Sequence, residues 1–253
     1  MNVVTEITVA TRQLKKFVDA VARFASRAFV GTSDQGLHIA AIDDARTLLT
    51  RLAVPREALG VVMWDNVGIW VRIKQLRAVL DLPEINSEVT MTVLDEDPEV
   101  ENSKGEIVVN CPGNFLVLME GTDPDPHYKE YPWRGDVEAQ MWGSGLVQMV
   151  REVRRAGADV VRLVASPEGL VAEGLRRGGN TDVAARYQID RRARALDKPI
   201  ASQFSVEYLA GIAKSVTRYD KVILKYGDDW PLQIDIRGEE MEISYLLAPA
   251  LLE

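Results

Sequence analysis

The sequence predicts an α+β fold built from two copies of one unit, in which helices cover antiparallel sheets. The main observation is an internal repeat: residues 204–231 repeat the pattern of residues 71–98 at an offset of 133 positions. The same offset carries residues 104–106, Lys-Gly-Glu, onto residues 237–239, Arg-Gly-Glu. A fixed offset that recurs along the chain indicates a tandem duplication.

Apolar residues at helical spacing predict four amphipathic helices, at 11–25, 72–81, 144–156 and 205–218, with Thr11 and Ser144 as N-caps. In residues 88–94, Val89, Met91 and Val93 alternate with two threonines, so this strand has one core face and one solvent face. Such a strand belongs to an antiparallel sheet. Similar runs predict strands at 29–32, 37–42, 47–54, 67–71, 106–110, 114–120, 138–142, 160–165, 169–176, 182–189, 200–203, 221–226, 232–237 and 240–247.

The length of 253 residues suits two ordinary domains, and the repeat favours that division. We predict an N-terminal domain at 1–120, a linker at 121–135 and a C-terminal domain at 136–253. The linker is rich in proline and acidic residues and has no periodicity. Such a segment is expected to be extended and fairly stiff.

Composition excludes several classes of protein. Hydrophobic residues make up 47% and charged residues 27% of the chain, which is typical of a globular protein. No apolar run reaches the ~18 residues that cross a bilayer, and the N-terminus lacks the pattern of an export signal. The single Cys111 forbids an internal disulfide. We therefore expect no membrane partner and an intracellular location, in the cytoplasm or nucleoid, or in the nucleus of a eukaryote.

The net charge of −8 conceals an uneven distribution. The four predicted helices hold 12 basic and 4 acidic residues, whereas the remainder holds 18 basic and 34 acidic residues. Lys and Arg are also ordinary residues of solvated helices, which is the alternative explanation. If the helices share one side of their sheets, a basic surface on an acidic body would attract phosphates. No aromatic residues interleave with these cations, so the pattern favours duplex backbone contact over base stacking.

Acidic clusters at 95–97 and 228–229 would suit a metal-dependent hydrolase, which is the alternative from the enzyme class. Their matched repeat positions before a proline instead predict hairpin turns. Gly143-Ser144-Gly145 lacks the further residues of a phosphate loop, and His38 and His127 have no partner at metal-ligand spacing. We expect no catalytic residues, no metal, no cofactor and no enzymatic activity. Arg191, Arg192 and Arg194 form either an exposed loop or an auxiliary contact with DNA or a partner.

Several motifs resemble the sliding clamp family of proliferating cell nuclear antigen (PCNA), especially its archaeal members. They are Leu14-Lys15-Lys16, Gly36-Leu37 leading to Ile42-Asp43, residues 228–232 (Asp-Asp-Trp-Pro-Leu) and residues 245–249 (Tyr-Leu-Leu-Ala-Pro). The resemblance covers nearly the whole chain. It implies a ring of three chains, either a homotrimer or a heterotrimer with related subunits. Four helices would line the inner face around duplex DNA, with antiparallel sheets outside. A checkpoint-type clamp with specialised clients is the alternative within this class.

The resemblance also implies site residues. It places DNA contacts at Lys15, Lys16, Arg151, Arg155 and Lys214, and the helix pattern adds Arg72, Lys74 and Arg77. Glu207 stands where the family commonly has a cation. In such a ring, an edge strand of one domain would pair with an edge strand of the other domain in the neighbouring subunit. The residues of these strands would be Phe115, Val117, Val183 and Tyr187.

DNA polymerase, clamp loader, flap endonuclease and DNA ligase are the partners that the resemblance implies, docking through a short peptide motif. Their pocket would comprise Ile42, Arg46, Leu49, Tyr131, Pro132, Pro231, Leu246, Ala248, Pro249, Ala250 and Leu251. The linker departs from the family in its proline and aromatic content, and Tyr131 replaces a smaller aliphatic residue. These departures affect the expected shape of the pocket and its client preference.

Overall fold

The computed structural model describes residues 2–63, 68–81, 88–95, 105–110, 115–118, 136–166, 169–176, 186–189, 198–238 and 241–250. The chain divides into two compact units, the first comprising Met1–Glu130 with Glu239–Ile243 and the second Tyr131–Gly238 with Ser244–Glu253. The predicted linker at 121–135 and the arginine cluster at 191–194 lie outside the described residues. The domain limits given above therefore stay predictions.

The described residues of the first unit form two helices and two sets of strands. The elements are β1 (Asn2–Ala10), α1 (Thr11–Val21), β2 (Arg27–Ser33), β3 (Gly36–Ile42), β4 (Leu48–Pro55), a 3₁₀ turn (Arg56–Ala58), β5 (Gly60–Met63), β6 (Gly68–Arg72), α2 (Ile73–Leu80), β7 (Glu88–Asp95), β8 (Gly105–Asn110) and β9 (Phe115–Leu118). One set of strands runs in the order β5-β1-β7-β8-β9 and the other in the order β4-β3-β2-β6.

The second unit repeats this plan. Its elements are β10 (Val137–Trp142), α3 (Gly143–Arg155), β11 (Val160–Ser166), β12 (Gly169–Leu175), β13 (Arg186–Ile189), β14 (Ile200–Ser205), α4 (Val206–Ile212), a 3₁₀ turn (Ala213–Ser215), β15 (Lys221–Tyr226), β16 (Leu232–Arg237) and β17 (Glu242–Leu247). The strand orders are β10-β15-β16-β17 and β13-β12-β11-β14. Every strand pair with a resolved register is antiparallel, as the alternation of residues 88–94 predicts.

The duplication is confirmed by the backbone. A shift of 133 positions carries β2 onto β11 and β3 onto β12, and the first and last residues of each pair of strands coincide. The order β4-β3-β2-β6 then corresponds to β13-β12-β11-β14, and both copies end this segment in a strand that leads directly into a helix. The two units are therefore two examples of one α+β fold.

The core of each unit lies under its helix pair. In the first unit α1 packs against α2, and Leu14, Phe17 and Leu76 are at most 2% exposed. In the second unit α3 packs against α4, and Leu146, Val153 and Leu209 are buried to the same degree. Each such side chain contributes about 1.5–3 kcal/mol relative to exposure. The hydrophobic faces of the helices thus leave the opposite, charged faces in water.

Two strands and several helix ends differ from the predictions. Strands β1 and β5 were not predicted, although Thr5, Ile7 and Val9 are buried at every second position of β1. Helix α1 ends at Val21 instead of residue 25. Helix α4 ends at Ile212, because its last turn tightens into the 3₁₀ turn Ala213–Ser215.

The predicted N-caps were wrong. Ala10 is the N-cap residue of α1 and Trp142 that of α3, so Thr11 is the first residue of α1 and Ser144 lies inside the first turn of α3. Each helix follows directly on a strand without an intervening turn, so the extended residue that ends the strand occupies the capping position. Gly143 fits this junction because a Cβ atom there would collide with the carbonyl oxygen of Thr217.

Candidate nucleic-acid interface and docking surface

Two cations of the first helix pair, Lys15 and Arg77, form ion pairs with two aspartates. The Lys15 Nζ atom lies 3.7 Å from Asp81, and the Arg77 guanidinium lies 3.5 Å from Asp19 and 3.7 Å from Asp81. All four side chains are between 41% and 60% exposed. Exposed pairs of this kind contribute at most about 1 kcal/mol. They orient the cations without preventing a phosphate from replacing an aspartate as partner.

The remaining predicted cations of this unit differ in their surroundings. Lys74 is exposed on α2, whereas Lys16 is half-buried on α1. Arg72 is not within α2 but is the last residue of β6. There it is the register partner of Arg27 on β2. The structure therefore places Lys15, Lys16, Lys74 and Arg77 on the helix pair and Arg72 at its margin.

The second helix pair carries its cations mainly on α3. Leu146, Met149, Val150 and Val153 face the core, while Arg151, Arg154 and Arg155 are exposed. Arg151 and Arg155 are four residues apart and so occupy one face of the helix. Sequence reasoning included Arg154 in the charge count but not among the contacts.

Helix α4 itself contains no lysine or arginine. Lys214 is exposed but lies in the 3₁₀ turn that follows α4, and the exposed Glu207 lies in the first turn of the helix. The contribution of this helix to a cationic surface is therefore confined to its C-terminal end.

A buried aspartate shapes the turn between β3 and β4. The Asp43 Oδ1 atom accepts hydrogen bonds from the backbone N–H groups of Thr47 and Leu48, both at 2.6 Å. Asp43 is only 4% exposed. Arg46 adopts a positive φ of 55° in this turn, and its N–H donates to the Asp43 carbonyl at 2.9 Å. Ile42 and Leu49 are thereby fixed as direct cross-strand partners.

The C-terminal tail and the turn before β16 both attach to β14. The Ala250 N–H donates to the Gln203 carbonyl at 2.7 Å, and the Asp229 N–H donates to the Ala201 carbonyl at 3.4 Å. The Ser202 hydroxyl donates to the carbonyl of Trp230 at 3.3 Å. Strand β14 thus holds both segments that carry the predicted pocket residues of this unit.

The predicted pocket residues are distributed over both units. Ile42, Arg46 and Leu49 belong to the first unit. The second unit holds the half-buried residues Pro231, Leu246, Ala248, Pro249 and Ala250. Tyr131, Pro132 and Leu251 lie outside the described residues.

The strands proposed for subunit pairing lie at the ends of their sheets. In the part of the chain that the structure describes, β9 pairs with β8 and β13 pairs with β12, and each is the last strand in its order. Phe115 and Val117 lie on β9 and Tyr187 on β13, whereas Val183 lies outside the described residues. An end strand of this kind has a backbone edge that can pair with another chain.

The β2–β3–β6 sheet carries a small aromatic cluster. Phe29 stacks on His38 with a centroid distance of 6.1 Å and meets Trp70 edge-on at 5.7 Å. Burial lowers the pKa of His38 to about 4, while a hydrogen bond with the Gly36 backbone opposes this shift. His38 is therefore neutral at physiological pH.

The acidic turn at 228–229 has the geometry predicted for a turn. Asp229 adopts a positive φ of 51°, and the Trp230 N–H donates to the Gly227 carbonyl at 3.4 Å. Within the described ranges no three His, Cys, Asp or Glu residues are placed to hold a metal ion. A search of the same residues finds no helix with the length and hydropathy of a membrane span.

Comparisons with known proteins agree with this architecture. Residues 6–108 match the family model described as the N-terminal domain of proliferating cell nuclear antigen. The DNA polymerase sliding clamp of Thermoplasma volcanium is 21% identical over 253 residues, with 97% of this chain and 98% of that protein covered. The DNA polymerase sliding clamp of Methanothermobacter thermautotrophicus is 24% identical over 243 residues, with 94% of each chain covered.

Among solved structures, the PCNA of A. fulgidus with the C-terminal region of FEN-1 bound superposes with a TM-score of 0.78 at 17% identity. The alignment covers 98% of this chain and 99% of that one. This likeness shows that the two chains share their fold from end to end.

Proposed function

Because this chain belongs to the proliferating cell nuclear antigen family of DNA sliding clamps, we propose that it encircles duplex DNA and tethers DNA polymerase and other replication and repair proteins to it. The observation that carries the proposal is the division of each helix pair into a buried apolar face and an exposed face with cations. Lys15, Lys74 and Arg77 occupy that face in the first unit, and Arg151 and Arg155 in the second.

The proposed contact with DNA is weak and independent of sequence. Flexible cations that pair with nearby aspartates can exchange to phosphates, and each contact releases a counterion. Lys16, Arg72 and Lys214 extend this surface beyond the exposed helix faces. Such contacts allow sliding, while a closed ring supplies persistence on the DNA.

The proposed ring has three chains. Support comes from the end strands β9 and β13, which belong to different units and so can pair head to tail. Phe115, Val117, Val183 and Tyr187 are the proposed interface residues. Three identical chains, or this chain with related subunits, satisfy the same geometry.

The proposed clients are DNA polymerase, the clamp loader, flap endonuclease and DNA ligase. A short client peptide would bind residues near the rigid β3–β4 turn and the tail held by β14. Tyr131, Pro132 and Leu251 complete the proposed pocket. The chain would have no catalytic activity of its own and would act in the cell interior, where its DNA is.

Retention on circular and linear DNA tests the central claim. The protein is loaded by a clamp loader and ATP on a nicked circular duplex, washed in high salt and eluted after restriction cleavage. A ring that slides stays on the circle through the wash and leaves when the circle is cut. Equal retention before and after cleavage, or none on the circle, would contradict encirclement.

A further inference from the structure

Two exposed large hydrophobic residues lie on adjoining backbone segments at one end of the second unit. Trp142, the last residue of β10, is 64% exposed, and Tyr219, in the loop before β15, is 70% exposed. Trp142 is the register partner of Lys221, two residues beyond Tyr219. The Gly143 N–H also donates to the Asp220 carbonyl at 2.8 Å. The two aromatic residues therefore lie on adjoining backbone segments although they are 77 positions apart in the sequence.

Cations accompany both rings. The Arg218 guanidinium lies 4.3 Å from the centroid of the Tyr219 ring, and it also donates a hydrogen bond to the Tyr219 hydroxyl. Lys221 is exposed directly opposite Trp142 and is also the register partner of Arg237 on β16. Side chains at matching register share one face of a sheet, so these residues form a row across three strands.

The carboxylate within this loop is engaged elsewhere. Asp220 accepts a hydrogen bond from the backbone N–H of Thr217 at 2.7 Å, which turns its charge toward the loop itself. Arg218 and Lys221 are both exposed at this end of the sheet. The local charge thus favours an anionic ligand although the chain as a whole is acidic.

The cluster adjoins the proposed duplex-binding face. Helix α3, which carries Arg151 and Arg155, begins at Gly143 immediately after Trp142. Lys214 precedes Arg218 by one short loop, and the Ser144 N–H donates to the Arg218 carbonyl at 3.4 Å. A DNA strand leaving the helix layer at this end would meet the aromatic residues next.

We propose that Trp142, Arg218, Tyr219 and Lys221 form a binding surface for single-stranded DNA where it emerges from the duplex. Trp142 and Tyr219 stack on unpaired bases, and Arg218 and Lys221 contact the adjoining phosphates. Exposed rings beside cations are the means by which proteins bind single strands without sequence preference. Bases within a duplex are already stacked, so the surface would distinguish a duplex with a single-stranded extension from a blunt duplex. The inference rests on the proposed function.

Fluorescence anisotropy of the full chain with labelled oligonucleotides tests the proposal. The probes are a thymidine single strand, a blunt duplex and the same duplex with a single-stranded extension. We expect wild type to bind the extended duplex more tightly than the blunt one. Trp142→Ala and Tyr219→Ala should each lose about fivefold or more in affinity for the extended probe, the equivalent of one stacked base. Their affinity for the blunt duplex should change far less.

Matched variants keep the result interpretable. Trp142→Phe retains a ring and should keep most of the preference, which separates stacking from a folding defect. Trp230→Ala removes another exposed tryptophan, 49% exposed and held by the β14 contacts, and should bind all probes as wild type does. A loss with Trp230→Ala equal to that with Trp142→Ala would overturn the assignment.

Two further outcomes would also overturn the proposal. In the first, wild type is retained on circular duplex but shows no preference for the extended probe, which leaves the clamp function standing. In the second, Trp142→Ala abolishes binding of a Glu-rich peptide and leaves single-strand binding unchanged, which assigns the surface to an acidic protein. Failure of wild type to remain on circular duplex, by contrast, would count against the clamp function itself.

Discussion

The Tyr245 hydroxyl lies 2.6 Å from the Ser215 hydroxyl, and Ser215 in turn donates to the carbonyl of Ile212 at 2.7 Å. Serine has one hydroxyl proton, so Tyr245 must donate to Ser215. This buried chain joins β17 to the 3₁₀ turn in which α4 ends. It places the tail-bearing strand and the turn carrying Lys214 in one polar network.

A mutant cycle on this pair should show a marked asymmetry. Ser215→Ala leaves a buried phenol without its acceptor and should cost about 1–3 kcal/mol in the free energy of unfolding. Tyr245→Phe keeps the Ser215–Ile212 bond and should cost about 0.5–1.5 kcal/mol. The double variant should be more stable than Ser215→Ala alone. Urea denaturation measures all three, and additive losses would contradict the hydrogen-bond assignment.

Stability should fall with acid through His38. Burial among aromatic residues lowers its folded pKa to about 4 from 6.5, so the unfolded chain binds the proton more readily. This stabilising contribution is fully present above pH 6.5 and is lost as the pH falls toward 4. In His38→Gln the denaturation midpoint should change less with pH between these two values than it does in the wild type. Parallel curves for the two proteins would refute the assignment.

Reversing charge on the helix faces should weaken DNA binding without affecting assembly. Lys15→Glu, Lys16→Glu and Arg151→Glu together remove about three proposed phosphate contacts. The slope of log affinity against log salt should then fall by about 3. Polymerase stimulation should fall with it. Salt titrations on duplex DNA and native mass measurement give the two readouts.

Lys198→Glu is the matched control, because Lys198 is exposed but lies outside the helix pairs. It changes the net charge in the same direction without touching the proposed surface. An unchanged slope in the triple variant, or an equal effect per charge at Lys198, would rule out the helix faces as the contact.

Changes in the tail should abolish client binding and preserve the ring. Pro249→Glu and Leu251→Glu place charge beside the proposed apolar pocket and should each weaken a flap-endonuclease tail peptide by at least about tenfold, equivalent to about 1.4 kcal/mol. Val61→Ala, an exposed change on β5, should leave the affinity unaltered. Calorimetric titration measures the affinity. Wild-type affinity in both tail variants would show that this segment is not part of the client pocket.

Much of the fold could be predicted from the sequence because periodicity reports directly on burial. The alternation in residues 88–94 predicted β7, and the apolar runs at 29–32, 37–42, 160–165 and 169–176 predicted β2, β3, β11 and β12. The N-caps, Ala10 and Trp142, could not be predicted this way, since an extended residue at the end of a strand begins each helix. Strand β1 did carry an alternating signal at Thr5, Ile7 and Val9.

The candidate sites divide along the same lines. Cations on amphipathic helices are visible in the sequence, and Lys74, Arg151 and Arg155 are indeed exposed. The Asp43 hydrogen bonds and the approach of Trp142 to Tyr219 depend on turn geometry and strand register. In the sequence no aromatic residues interleave with the helical cations, a pattern that disfavours base stacking. Strand pairing nevertheless brings Trp142 and Tyr219 close to the start of α3.

The Asp43 turn has a consequence for recognition. Ile42 and Leu49 are immobilised when the protein folds, so a client that touches them loses little conformational entropy on the clamp's side. Asp43→Asn weakens the hydrogen bonds to Thr47 and Leu48. The flap-endonuclease tail peptide should then dissociate faster, although its apolar contacts with Ile42 and Leu49 are unchanged. If clients bind the proposed pocket, their residence time would depend partly on a carboxylate that no client needs to touch.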